Sequence, residues 1–107
     1  MELVFKALAD NSRRALLDAL HAQNGQTLNA LCEHFDMTRP AVAKHLAILE
    51  AANLVVPLWH GREKLHYLNP EPLQAIHERW IGKFDKQRIQ ALSNLKRALE
   101  AQQEKPK

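Results

Sequence analysis

The sequence predicts a mainly α domain with one small β-hairpin, about five helices and a two-stranded antiparallel wing. Three observations predict it. Apolar residues recur at helical spacing over most of the chain, the pattern turns strand-like only between Leu54 and Leu68, and two short helical stretches are joined by the tight turn Asp36-Met37-Thr38.

Leu3 to Leu8 reads as a short first helix. Asp10 is placed to cap a second that runs to about Gln23, with Leu16, Leu17 and Leu20 inward and Asn24-Gly25 as its stop. Arg13 and Arg14 fall near the start of that helix, the unfavourable end for cations. Two roles are open for them: phosphate contact or an interface pair, or one stem packed across the fold with the other arginine solvated.

Leu28, Leu31, Cys32 and Phe35 repeat at i, i+3, i+4 and i+7, so Leu28 to Phe35 reads as a third helix. The stretch Thr38 to Val55, TRPAVAKHLAILEAANLV, carries the fourth. Thr38 can cap it, and Pro40 suits its first turn, where an amide has no intrahelical acceptor. Val42, Leu46 and Leu49 form a stripe that must be buried, while Arg39, Pro40, Ala43, Lys44 and Ala47 lie away from it. Small side chains on that outer face permit close approach to a partner surface. Asn53 tolerates the left-handed conformation that ends a helix.

Two short helices joined this tightly form a helix-turn-helix, whose second helix enters the major groove of DNA. Leu54 to His60 and Glu63 to Leu68 then read as strands around Gly61-Arg62, and Gly61 supplies a permissive turn backbone. A hairpin in that position is a wing. Arg62 at its tip, with His60 and Lys64 beside it, is placed to meet phosphate or the minor groove.

Asn69-Pro70-Glu71-Pro72 is a rigid turn, and Pro72 can open a long last helix. Leu73, Ile76, Trp80, Ile81, Phe84, Leu92, Leu95 and Leu99 give it an apolar stripe longer than one small core can cover, so a partner chain is expected along it. The domain is expected to span residues 1–101, with 102–107 as a flexible polar tail.

The runs VFKALADNSRRALLDAL (Val4 to Leu20), LNALCEHFDMTRPAVAKHLAILEAANLV (Leu28 to Val55) and HGREKLHYLNPEPL (His60 to Leu73) together resemble the ArsR/SmtB family of winged-helix bacterial repressors, over most of the chain. The resemblance implies a homodimer bound to double-stranded DNA, with subunits joined through the first and last helices. It implies that Thr38, Arg39, Pro40, Ala43, Lys44 and His45 form the recognition surface, and Gly61 and Arg62 the wing tip, with Lys64 beside them. The expected dimer interface is Leu3, Val4, Leu8, Ile76, Trp80, Phe84, Leu92 and Leu95. Three departures from the family pattern stand out. Asn11 replaces a usual Pro, Asn53 replaces a usual Gly, and Pro57-Leu58-Trp59 occupies a strand that is often basic.

Many members of that family sense metals, through cysteines near the helix before the recognition helix or through ligand sets in the last helix. Thr27 and Asn29 stand at positions of the first kind, and His77, Glu78 and Asp85 fall short of a complete second set, so no metal or other cofactor is expected. Cys32 shares the apolar face of its helix and is read first as a structural thiol. An unknown effector remains open, including a small apolar molecule held around Trp80 and Phe84. Trp59 has three candidate roles: covering the core, contacting the last helix, or stacking on a DNA sugar.

Composition agrees with one small DNA-binding domain. The 107 residues carry a formal charge of +3 with pI near 9.2. That is mildly basic, compatible with DNA without establishing it. One cysteine excludes an intrachain disulfide. With no long apolar run and no signal-like start, a cytoplasmic chain that does not enter a membrane is expected. No phosphate loop, nucleophile motif or carboxylate pair suggests an enzyme. The expected function is sequence-specific regulation of transcription, as a homodimeric repressor at a palindromic operator near its own gene. The alternatives are a metal- or small-molecule-responsive repressor with its site in the last helix, and a winged-helix module that binds a protein and has no operator.

Overall fold

The computed structural model describes residues 1–104, and its elements run α1 (Glu2–Leu8), α2 (Asn11–Ala22), α3 (Leu28–Cys32), α4 (Arg39–Ala51), β1 (Val55–His60), β2 (Glu63–Leu68), α5 (Glu71–Trp80) and α6 (Lys86–Glu104). The mainly helical class and the single antiparallel hairpin are as predicted. Residues Met1–Gln74 form one compact unit, and a second begins at Ala75.

In the first unit, three helices start by the same device. Asp10, Thr27 and Thr38 each hold extended backbone and accept, through a side-chain oxygen, the amide three residues on: Arg13 at 3.0 Å, Ala30 at 3.1 Å and Ala41 at 3.3 Å. Each cap satisfies an amide that has no intrahelical acceptor, a contribution of about 1 kcal/mol. The α4 helix ends where Asn53 adopts φ +61° and the Leu54 amide reaches back to Leu49 O at 3.0 Å. Asn thus fills the role more often given to Gly.

The core of this unit is aliphatic. Leu16, Leu17 and Leu20 from α2 meet Leu31 from α3, Val42, Leu46 and Leu49 from α4, and Leu54 and Val55 at the entry to β1. Val4 and Ala7 bury one face of α1 here, while Leu3 and Phe5 are exposed. Val4, expected at a subunit interface beside Leu3 and Leu8, is instead buried in the core of this unit, because i and i+3 share a helix face and Leu3 lies off it.

The hairpin pairs Val55 with Leu68 through to His60 with Glu63. Gly61 takes φ +64° in the two-residue turn. Beyond the prediction, Gln26 bridges the free edge of β2: the His66 amide donates to Gln26 O at 2.8 Å, and the Gln26 amide to His66 O at 3.3 Å. The wing is thereby anchored to the segment that enters α3.

The expected long last helix is two helices, which raises the total to six among the described residues. After Trp80 the Ile81 and Gly82 amides both fold back onto His77 O at 2.7 Å, and Asp85 Oδ1 then accepts the Arg88 amide at 2.7 Å to start α6. Gly82 and Asp85 are stop and start signals that the continuous apolar stripe masked. On α6 the side chains Ile89, Leu92, Leu95 and Leu99 are all exposed. Of the expected tail, the helix takes in residues through Glu104, and 105–107 lie outside the described residues.

Candidate nucleic-acid interface

The recognition helix and the wing enclose one open groove. Its walls come from the N-terminal end of α3 (Thr27, Leu28, Asn29), from α4 (Arg39, Ala43, Leu46, Ala47, Glu50) and from the hairpin (Trp59, Arg62, Glu63, Lys64, His66), around a volume of about 520 Å³. Helical phase explains the α4 set. Arg39, Ala43, Ala47 and Glu50 follow one another on the side of the helix next to the buried Val42–Leu46–Leu49 stripe, so the small residues leave open space between two cationic rims.

Of the residues singled out from sequence, Arg39, Ala43, Arg62 and Lys64 share this groove. Thr38, Pro40 and Lys44 are exposed along the first turns of α4, and Gly61 is exposed at the wing tip. His45 is placed elsewhere. It faces the start of α2, where its Nδ1 lies 3.3 Å from Arg13 Nη1 and 3.9 Å from Asp10 Oδ2. A guanidinium only donates, so Nδ1 accepts in this contact and the ring proton sits on Nε2; the Asp10 oxygen is beyond hydrogen-bond reach.

Arg13 also donates from Nε to Ala7 O at 2.8 Å and from Nη2 to Lys6 O at 3.1 Å, and Arg14 donates from Nη1 to Leu8 O at 2.7 Å. The two arginines are misplaced with respect to the dipole of α2 but well placed for α1, whose last carbonyls they cap. The Arg13 amide, hydrogen-bonded to the Asp10 carboxylate, holds that carboxyl below its ordinary value, and the Arg13 charge acts in the same direction.

The wing carries a polar strut that the sequence did not reveal. His66 is buried, with Nδ1 donating to Gln26 O at 2.9 Å and Nε2 turned to Glu50 Oε1 at 3.6 Å. The same Glu50 oxygen lies 3.4 Å from Lys64 Nζ. Lys64 is thus paired with Glu50 while still lining the groove. The available signal was strand alternation, since Lys64 and His66 share one face of β2 and that face had to meet α4. His66 thus lies on the wing strand β2 with its ring buried.

Among the described residues, no group of three or more His, Cys, Asp or Glu could hold a metal ion, and Cys32 is half-buried. Trp80 and Phe84, offered as a lining for an apolar effector, are both about half exposed, Trp80 at the end of α5 and Phe84 in the segment between α5 and α6. No helix among the described residues is long and apolar enough to cross a membrane.

A capped helix pair with a basic second helix, flanked by a hairpin with Arg62 near its tip, defines a winged helix-turn-helix DNA-binding protein. A sequence profile of the helix-turn-helix domain matches residues 8–57. The chain is 40% identical over 86 residues to an uncharacterised HTH-type transcriptional regulator, YuzN, of Bacillus subtilis (strain 168), covering 75% of this chain and 94% of that protein. It is 35% identical over 74 residues to the transcriptional repressor SdpR of the same organism, covering 69% and 81%. A solved ArsR-like transcriptional regulator from Rhodococcus sp. RHA1 superposes with a TM-score of 0.69 at 27% identity, over 99% of this chain and 93% of that one. The chain belongs to the ArsR/SmtB family of winged-helix transcriptional regulators and is a DNA-binding regulator of transcription.

Proposed function

We propose that the chain is a homodimeric repressor that binds a palindromic operator near its own gene. One observation carries the reading: Arg39 on the recognition helix and Arg62 on the wing line the same open groove, one on each wall. A helix set in the major groove beside a wing on the flanking backbone would use the first to read base edges and the second to hold phosphate. Lys44, exposed near the start of α4, would add a base or phosphate contact.

A single short helix reads few base pairs, and a twofold pair reads two half-sites one helical turn apart. The exposed Leu3 on α1 and the exposed Leu92, Leu95 and Leu99 on α6 supply apolar surface for that pairing. Residues 1–101 would thus serve both DNA binding and dimerisation.

The test is stoichiometry. Genomic fragments retained by the purified chain should carry an inverted repeat and bind two chains each, and one of them should come from the region next to its own gene. A single chain per fragment on a non-repeated sequence would overturn the dimeric reading.

A further inference from the structure

Trp59 is 69% exposed, although an indole is among the costliest side chains to leave in water. Its surroundings explain what it is exposed to. Trp59 pairs with Lys64 across the hairpin, so the two side chains share the face that Lys64 and His66 turn toward Glu50 on α4. The indole accordingly overhangs the groove bounded by Arg39 and Ala43 on one wall and Arg62 at the wing.

The charge of the wing stem points the same way. Pro57-Leu58-Trp59 brings no cation to β1, and the cation on β2 that shares the face of Trp59, Lys64, is offset by Glu50 at 3.4 Å. A stem built this way cannot hold DNA by attraction to phosphate alone. It does offer a flat apolar plate beside a small-residue helix face.

We infer that Trp59 is a DNA-contacting residue that packs its indole against the deoxyribose edge of the duplex, giving the wing an apolar hold that is insensitive to salt. The inference rests on the reading of the groove as the DNA interface. Apolar wing and wedge contacts to sugars release no counterions, whereas each Lys or Arg contact to phosphate does.

The experiment measures affinity against salt for genomic fragments enriched by the wild-type chain, using Trp59→Ala, Trp59→Phe and Arg62→Ala. Trp59→Ala should weaken binding about tenfold at every salt concentration and leave the slope of log affinity against log salt unchanged, with Trp59→Phe in between. Arg62→Ala should instead reduce the slope by about one. Tryptophan emission supplies a second readout: wild-type emission should change on adding fragment, and that change should vanish in Trp59→Phe, in which Trp80 is the remaining tryptophan.

Wild-type affinity in Trp59→Ala would overturn the inference while Arg62→Ala still tests the groove. In Trp80→Phe, where Trp59 is the remaining tryptophan, an indole that becomes shielded from quencher as protein concentration rises without DNA would also overturn it by assigning Trp59 to contact between copies. Absence of any enriched fragment would instead remove the DNA reading on which it rests.

Discussion

Arg13 on α2 and His45 on the recognition helix meet at 3.3 Å, and the same guanidinium caps the last turn of α1 through Lys6 O and Ala7 O. One side chain thus ties three helices, and it links the outer helix α1 to the element proposed to read DNA. His45 takes up its acceptor position on that link and leaves Nε2–H as the free donor.

Arg13→Ala should therefore cost about 1 to 3 kcal/mol of unfolding free energy, since it takes the side-chain donor from Ala7 O at the end of α1 and removes charge-assisted hydrogen bonds. Urea unfolding measures it. Arg14→Ala, which loses one exposed bond to Leu8 O and a 3.4 Å contact to Asn11, should cost less. Equal losses would mean the link through Arg13 adds nothing.

Glu50→Gln should free Lys64 for phosphate. Binding to mixed-sequence duplex should then tighten at low salt, with a salt dependence steeper by about one phosphate contact. If the slope stays at its wild-type value, Lys64 does not reach DNA even when its partner is neutral.

Asp10 carries a pH signature. The Arg13 amide depresses its folded-state pKa, so the stabilisation is fully present above the ordinary carboxylate value of about 4 and is lost as pH falls through the depressed value. Asn is as good a helix cap as Asp, so Asp10→Asn removes mainly the charge. Wild type should exceed the variant in urea midpoint at pH 7, and the difference should close as pH falls below about 4. A constant difference across that range would assign the effect to the cap geometry alone.

Much of this fold was legible because it rests on local patterns. Thr38, Pro40 and Asn53 bounded α4 within a residue or two, and Glu63–Leu68 was read as the strand it is. What was missed depends on contacts far apart in sequence. The Gln26–His66 bridge spans 40 residues, the Glu50 strut joins a helix end to a strand, and Arg13 finds its acceptors on the preceding helix. No periodicity reports such pairings. The α5–α6 break was missed for the opposite reason, since Gly82 and Asp85 were plain local signals overruled by an apolar stripe that ran across them.

Gly25 tests the missed anchor directly. It holds φ +78°, and a Cβ there would lie 3.1 Å from Tyr67 Oη on β2. Gly25→Ala should destabilise the first unit by roughly 1 to 2 kcal/mol through left-handed strain and crowding. Faster amide exchange at His66, which donates to Gln26 O, should accompany the loss. Unchanged exchange at His66 would separate Gly25 from the wing anchor.

Arg39 and its neighbours on α4 are proposed to read DNA sequence. The most direct measurement is sequence enrichment among genomic fragments retained by the purified chain, wild type beside Arg39→Ala. Wild type should enrich a defined inverted repeat, and the variant should lose about 1 to 3 kcal/mol on that repeat alone, with binding to random duplex preserved. Enrichment of the same repeat to the same degree by both proteins would contradict it.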